Sequence, residues 1–358
     1  MAERGQLVVH AGMHKTGSTA IQEVFGARAV AGVDHPGGPR SNLSDTVLLL
    51  FAEGPLLEKF HAARVPHLSR RALMRQRARE ETRLTARLAR ARAPIFLFSA
   101  EDIAAPDFDV AATARMADFL DRSGRRIDVR AYVRAPISFM QSAFQQRVKQ
   151  DKPGAADLDA RTLWPCYRAR FEKLDTVFGR DRVHLRAFDP SGFPGGDVVA
   201  DFAAWLGVTL PEAAPLRAND GLSREAMAVA WCRLADRLGA DYPDAARAAH
   251  FRATPARALT GFGQGRFAFS EEFLGPALEA HRADLDWMET RLGRALPDRA
   301  PPAEGLAGVA DFEAISEDVR AALAAHLDTL PPPPSGMRRA LARVRRQVRQ
   351  GLGLRGRA

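Results

Sequence analysis

The chain has 358 residues, 46% apolar and 27% charged, which are the proportions of a globular protein with a sizeable core. No apolar run approaches the ~18 residues that cross a bilayer, which argues against a transmembrane protein. The first residues lack the charged and apolar regions of a secretory signal, so the sequence predicts a cytoplasmic location.

The net charge of +9 is concentrated near the C-terminus. Residues 335–358 contain eight arginines and no acidic residue, which leaves 44 basic against 43 acidic side chains elsewhere. The globular part is therefore nearly neutral, and this disfavours nucleic acid as its partner. Cys166 and Cys232 lie far apart with no C-x-x-C pair, so we expect neither a metal site nor a disulfide framework.

Apolar runs alternate with helical patterns along the first two thirds of the chain. Strands are predicted around the apolar run 7–9 and at 94–98, 126–133 and 182–188. Helices are predicted from Ser18 to about 30, over 43–92, 109–122, 136–150, 158–178 and 197–206, and then over 223–238, 270–291 and 311–327. This alternation predicts an α/β fold in which helices flank a parallel sheet.

The sequence also predicts a domain organisation. Residues 1–210 would form the α/β core, with a helical insertion at about 43–92. Residues 211–330 would continue the same domain as helices and cover the acceptor side. A proline-rich break at 331–336 would then precede a basic amphipathic tail at 337–358.

The first predicted strand runs into the loop GMHKTGST, residues 12–19, which opens into a helix. Backbone N–H groups and the positive end of the helix dipole converge at such a junction, which favours an anion. Compared with the triphosphate motif G-x-x-x-x-G-K-[ST], Gly12 and Gly17 are in place, but Ser18 stands where the lysine belongs. The lysine is Lys15, inside the loop.

A second candidate anion site follows the strand at 126–133. Arg134 stands at its C-terminal end, and Ser142 comes about two turns into the next helix. Because the carboxyl ends of parallel strands line one crevice, Arg134 and the loop are expected to face the same cleft. Two anion sites on one rim predict a ligand with two separated phosphate-type groups. The alternatives are a surface arginine and a serine bonded to its own helix.

Together, GMHKTGST and YVRAPISFMQSAF resemble the two cofactor signatures of the sulfotransferases that use 3′-phosphoadenosine 5′-phosphosulfate (PAPS). Bacterial members with an MHKTGTT loop are also similar over 171–190 and 217–227, so the resemblance covers roughly 6–230. It implies a P-loop-like fold and in-line transfer of a sulfuryl group, without a metal. The acceptor would be a hydroxyl or an amine of a carbohydrate or glycolipid.

The resemblance also implies roles for individual residues. The loop would hold the 5′-phosphosulfate, and Arg134 with Ser142 would hold the 3′-phosphate. Lys15 would place its ammonium on the leaving oxygen, where negative charge develops in the transition state. The candidate cofactor-binding residues are Lys15, Thr16, Gly17, Ser18, Thr19, Arg134 and Ser142.

A general base must take the proton of the acceptor. Glu101 follows the strand IFLFS, and the family commonly places a histidine or glutamate base near the end of this strand. His14, in the loop, and His35 are rivals because imidazole titrates near neutral pH. Capping of the next helix is the alternative role for Glu101. Asp102 is expected to point elsewhere.

Two other hypotheses stay open. A P-loop nucleotide kinase or nucleotide-binding protein needs a lysine beside the hydroxyl residue after Gly17, which is absent, and an acidic magnesium ligand at a strand end. A membrane or nucleic-acid adaptor would depend on the tail. In the tail, Met337, Leu341, Val344, Val348 and Leu352 form an apolar stripe flanked by arginines, which suits peripheral contact with an anionic membrane.

Overall fold

The structure is a computed structural model that describes residues 5–27, 30–36, 42–152, 154–211 and 221–331. Its centre is a sheet of five strands, all of whose pairs are parallel, in the order β2-β3-β1-β4-β5. The strands are β1 Gln6–His10, β2 Val33–Asp34, β3 Ile95–Ser99, β4 Arg126–Val133 and β5 Val183–Ala187. The protein therefore has the α/β, P-loop-like architecture that the sequence predicts.

Helices connect the strands and account for most of the remaining described chain. They are α1 Ser18–Ala27, α2 Ser44–Phe51, α3 Gly54–Arg64, α4 Arg70–Arg90, α5 Val110–Asp121, α6 Pro136–Lys149, α7 Tyr167–Phe178, α8 Val198–Leu206, α9 Arg224–Leu234, α10 Ala248–Ala253, α11 Glu271–Ala280, α12 Arg282–Leu292, α13 Val309–Asp318 and α14 Arg320–Thr329. None of these helices has the length and apolar content to cross a membrane. Residues 332–358, with the predicted tail, lie outside the described ranges.

The predicted helical stretch at 43–92 is three helices rather than one. Pro55 occupies the first turn of α3, where its missing N–H costs nothing, and Pro66 follows directly after α3 has ended. Ser69 then caps α4, because its side-chain oxygen accepts a hydrogen bond from the Ala72 amide at 3.2 Å. The sequence predicted helix correctly here and missed the breaks.

Other boundaries also differ from the predictions. The predicted helix at 158–178 is a short 3₁₀ turn, Ala160–Leu163, followed by α7, and the one at 270–291 is the pair α11 and α12. The strand β2 lies between the helices predicted to about 30 and over 43–92, where the sequence predicted neither helix nor strand. It pairs with β3 at two positions, so it was too short to leave an alternating pattern in the sequence.

The described residues form two compact units. The first unit draws on 1–136, 165–217 and 281–298 and contains the whole sheet. Its core includes β1, whose residues Leu7, Val8 and Val9 are fully buried. Val8 belongs to an apolar cluster with residues of α1 and α8. Strands buried on both faces read as continuous apolar runs, which is why β1 and β3 were predictable.

The second unit draws on 137–164, 218–280 and 299–358, and its described part is helical apart from isolated bridges. Aromatic side chains form its centre. The Phe144 ring lies 5.0 Å from that of Phe269 and 6.0 Å from that of Phe312, measured between ring centroids. Trp231 on α9 contacts Phe312 on α13 at 4.7 Å. These contacts give the helical unit a core of its own.

Candidate functional site

The loop between β1 and α1 is built so closely that two of its positions require glycine. A Cβ on Gly12 would lie 2.2 Å from the Ser18 hydroxyl oxygen. Gly17 has a φ of +74°, and a Cβ there would lie 2.6 Å from a methyl carbon of Val198 on α8. The backbone therefore turns tightly into α1, and the first amides of that helix, which have no intrahelical acceptor, remain as donors for an anion.

Hydrogen bonds within the loop fix its shape. The Thr16 hydroxyl donates to the Met13 carbonyl at 2.6 Å, and it lies 3.4 Å from the Ser18 hydroxyl. Thr16 and Ser18 are almost completely buried, whereas Thr19 is exposed. The Thr16 side chain thus serves the loop itself. Thr16 is one of the predicted cofactor-binding residues, and its backbone amide is the group that stays suited to that role.

Lys15 adopts a φ of 71°, a left-handed conformation that residues with a Cβ rarely take. Arg134, directly after β4, donates from Nη1 to the Lys15 carbonyl at 2.5 Å. The guanidinium carbon of Arg134 lies 5.6 Å from the centre of the Phe188 ring, and burial lowers the pKa of the guanidinium. The structure thus brings Arg134 to the loop, as the sequence predicted from the strand ends.

The main chain of Arg134 is held as well. Its carbonyl accepts a hydrogen bond from the Tyr167 hydroxyl at 2.7 Å. Tyr167 begins α7, and its amide donates to Asp284 on α12 at 2.8 Å. Neither Tyr167 nor Asp284 carries a pattern that marked it in the sequence, because their part in the site depends on contacts between distant helices.

Glu101 lies on the other side of the loop, at the end of β3. Its Oε2 is 3.8 Å from the His14 Nε2, and its carboxylate accepts a hydrogen bond from the Thr19 side chain and feels the charge of Lys15. The site therefore brings together Glu101, His14, Lys15 and Thr19 of the predicted set. Glu101 is the first residue of a short 3₁₀ turn that ends at Ala104.

The environment of Glu101 favours its neutral form. Burial is the main cause, and the nearby Asp102 carboxylate adds to it, so the pKa of Glu101 rises to about 7. Lys15 and the Thr19 hydrogen bond oppose the rise. A carboxyl group with a pKa near 7 is well suited to accept a proton at neutral pH.

Asp102 does not simply point away, as the sequence had suggested. Its Oδ2 accepts a hydrogen bond from Arg64 on α3 at 3.3 Å, while its Oδ1 is 3.9 Å from the His14 Nε2. Burial raises the pKa of Asp102, and the charge of Arg64 opposes that rise. Asp102 is thus part of the electrostatic surroundings of Glu101 and His14.

A buried polar group below the loop escaped prediction. His10, the last residue of β1, is fully buried, and its Nδ1 lies 2.8 Å from the Ser99 hydroxyl. Gln22 on α1 donates to the same hydroxyl at 3.2 Å. Burial lowers the pKa of His10 to about 4, so its imidazole is neutral. Nothing in the sequence around a single histidine at a strand end indicates that it forms such a buried hydrogen bond.

The other two predicted residues belong to other elements of the fold. Ser142 is half-buried on α6, in the helical unit. His35 directly follows β2, the edge strand, whereas the loop follows the central strand β1. In the described ranges, no group of three or more His, Cys, Asp or Glu side chains is arranged to hold a metal ion.

The sheet defines an α/β protein with a P-loop-like fold, and the loop after β1 is its candidate anion site. Neither a model of a known protein family nor a curated protein sequence matches the chain. A crystal structure of a sulfotransferase from Alicyclobacillus acidocaldarius is similar at 18% identity, covering 66% of this chain and 95% of that chain, with a TM-score of 0.37. A likeness at that TM-score carries no argument about function.

Proposed function

We propose that this chain is a sulfotransferase that uses PAPS to sulfate a hydroxyl, or an amine, of a carbohydrate or glycolipid. The observation that carries the proposal is the convergence of Lys15, Arg134 and Glu101 on one glycine-containing loop. The loop offers amides and a lysine for one anion, Arg134 offers a second cationic group, and Glu101 offers a base.

The residues present fit such a donor. Gly12 and Gly17 let the loop pack against Ser18 and Val198, where a Cβ would collide, and so fix the turn that presents the first amides of α1. The first amides of α1 are suited to hold the 5′-phosphate group, and Arg134 the 3′-phosphate together with Ser142. Ser142 keeps this role as a proposal from its spacing in the sequence.

The reaction would exchange one S–O bond for another. The bound donor supplies the sulfuryl group. Glu101 accepts the proton of the acceptor hydroxyl as its oxygen forms the new bond to sulfur, with His14 as the rival base. Lys15 places its ammonium against the bridging oxygen that leaves with the phosphate, and so stabilises the charge that develops there. The loop amides and Arg134 keep the donor in line for the displacement.

A P-loop kinase or nucleotide-binding protein is the second candidate, because Glu101 and Asp102 do end a strand beside the loop. Two features count against that candidate. Ser18 stands where the lysine of the triphosphate motif belongs, and the Asp102 carboxylate is already bonded to Arg64.

Calorimetry with two ligands tests the proposal. We expect 3′-phosphoadenosine 5′-phosphate to bind more tightly than ATP with Mg²⁺, and the reverse order would reject the sulfotransferase in favour of the kinase. Lys15→Ala and Arg134→Ala should each lower the affinity for the bisphosphate by about 10–100-fold, since each removes a charge-assisted contact.

A matched arginine sharpens the result. Arg126 begins β4, the strand that Arg134 follows, and its side chain is largely exposed at the opposite end. Arg126→Ala should bind the bisphosphate as well as the wild type does. The Arg134→Ala protein should bind adenosine 5′-phosphate and the bisphosphate with equal affinity, because the side chain that would bind the 3′-phosphate has been removed. An Arg134→Ala protein that still prefers the bisphosphate would reject this site assignment.

A further inference from the structure

The segment that carries Glu101, residues 101–108, is held at its start by hydrogen bonds from two backbone amides. The Ala100 amide donates to the His10 carbonyl at 3.1 Å, and the Asp102 amide donates to the Ser44 hydroxyl at 3.1 Å. Within the segment, the Ala105 amide bonds the Asp102 carbonyl and the Phe108 amide bonds the Ala105 carbonyl. These bonds use the Ala105 carbonyl once, which leaves room there for a second donor, and they do not use the carbonyls of Ala104 and Phe108.

Two buried cations of α7 supply those partners. Arg170 donates from Nη1 to the Ala104 carbonyl at 2.8 Å. Lys173 donates from Nζ to the carbonyls of both Ala105 and Phe108. Arg170 is 7% exposed and Lys173 only 4%. Three carbonyls of one short segment are thus held by two side chains from a single helix.

Burying two cations is an expensive way to stabilise a core. Burial lowers the pKa of Lys173 to about 7, and the charge of Arg170 acts in the same direction, against Asp107 and Asp109. Apolar residues of similar volume are often as good or better for stability alone. The cations are instead suited to the carbonyl end of a turn, whose dipole attracts positive charge.

We propose that Arg170 and Lys173 are positioning residues, which hold the 101–108 segment so that the Glu101 carboxylate stays against the loop that carries Lys15. The role of Glu101 as a base rests on the proposed function, whereas the positioning itself does not. Small displacements matter at such a site, because a shift of about 1 Å in a reacting group can cost on the order of 100-fold in rate.

The same segment also offers a matched control. Lys59 on α3 forms an ion pair with Asp107 at 2.5 Å, but the Lys59 side chain is 70% exposed. Exposed ion pairs contribute little because water and salt screen them. Lys59 and Lys173 therefore contact one segment with the same chemical group, and they differ in burial and in what they bond.

The test compares Lys173→Met with Lys59→Met in the full chain. The first measurement is hydrogen exchange of the amides of 101–108. The second is the titration of the Glu101 carboxyl by ¹³C NMR, assigned by its loss in Glu101→Gln. The groups that face this carboxyl are Lys15, His14, Asp102 and Thr19, and all of them are kept in both variants.

We expect Lys173→Met to exchange these amides at least about tenfold faster, because the segment opens more often. The Glu101 titration should move down by about one pH unit as water reaches the carboxyl. Turnover should fall by up to about 100-fold, with bisphosphate binding within twofold of wild type. Lys59→Met should match the wild type in all four measurements.

Wild-type exchange together with an unchanged Glu101 titration in Lys173→Met would overturn the proposal. If that variant does not fold, Lys173→Gln, which keeps an N–H₂ donor on a shorter neutral chain, is measured instead. In Lys173→Gln the amides of 101–108 should exchange faster than in the wild type, and equal exchange rates would again overturn the proposal. A protein that binds no bisphosphate but shows these exchange and titration changes would reject the proposed function and keep the positioning role.

Discussion

Lys15 and Arg134 are coupled through one main-chain atom, the Lys15 carbonyl oxygen. The left-handed backbone at Lys15 costs roughly 1–2 kcal/mol for a residue with a Cβ. Such strain persists where surrounding contacts impose it, and it is common at binding sites. The Arg134 bond is one of those contacts, so a ligand that engages Arg134 would also act on the conformation of Lys15.

Glu101 should make the stability of the protein depend on pH. Its pKa is about 7 in the folded chain, against an ordinary value of 4.5. Between these values the native state holds a proton that the unfolded chain has lost, so the unfolding free energy of the wild type falls as pH rises through this window. The effect is complete above the folded pKa and absent below the unfolded one.

Glu101→Gln should therefore be more stable than the wild type at pH 8, by up to ~3 kcal/mol, and equal to it below pH 4.5. Chemical denaturation at the two pH values measures this difference. If the proposed function holds, the same variant should lose roughly 10²–10⁴-fold in sulfuryl transfer, because the proposed general base is removed. Glu81→Gln, on the exposed face of α4, is the control and should change neither quantity. Equal stability of Glu101→Gln and wild type at pH 8 would contradict the buried-carboxyl interpretation.

Residues with a local signal could be found in the sequence, and residues that act through long-range contacts could not. Lys15 stood in a loop with a known spacing, and Glu101 and Arg134 followed predicted strands. His10 and Lys173 left no comparable trace, because the burial of an imidazole or an ammonium is decided by packing between distant elements. The sequence predicted the groups that the structure brings to the loop and missed the groups that hold them.

At the scale of elements, the turn from β1 into α1 should tolerate no side chain at Gly17. Gly17→Ala adds a Cβ at positive φ and within 2.6 Å of Val198. The strain alone costs roughly 1–2 kcal/mol, and the clash must also move the loop against α8. We expect bisphosphate binding to fall at least tenfold, measured by calorimetry.

Gly32 provides the matched comparison. It too has a positive φ, +81°, but no atom lies within 4 Å of where its Cβ would be. Gly32→Ala should lose a similar free energy of unfolding through its backbone and keep bisphosphate binding unchanged. If both variants bind the bisphosphate equally well, the close packing of Gly17 is not what shapes the site.

Two of the predicted elements match the structure nearly to the residue. The strand predicted at 126–133 is β4, and the helix predicted at 197–206 begins one residue later as α8. Helix breaks were missed at 43–92 because the arginine-rich pattern continued past prolines that end and restart helices. The strand β2 was missed because two residues cannot show a period.

At the scale of the whole molecule, the excess positive charge belongs to the last residues of the sequence. The tail at 337–358 lies outside the described residues, and its part in membrane contact stays a prediction from its stripe and arginines. The full chain should sediment with strongly anionic vesicles that contain about 30% phosphatidylglycerol. Deletion of 337–358 should abolish this sedimentation. Bisphosphate affinity should be unchanged by the deletion.

Vesicles of phosphatidylcholine alone serve as the control, and neither the full chain nor the shortened one should sediment with them. Binding of the full chain should weaken at high salt, because separated charges are screened within about 8 Å at physiological ionic strength. Undiminished sedimentation of the shortened chain with anionic vesicles would place the membrane contact outside residues 337–358.

The central position of β1, between β3 and β4, has a consequence for divergence. The loop, Glu101 and Arg134 extend from three neighbouring strands, so their separations are inherited from backbone ladders about 4.8 Å apart. Along the chain, α2, α3 and α4 lie between β2 and β3. Descendants of this chain can therefore change the length or charge of these helices while the spacing of Lys15, Glu101 and Arg134 persists.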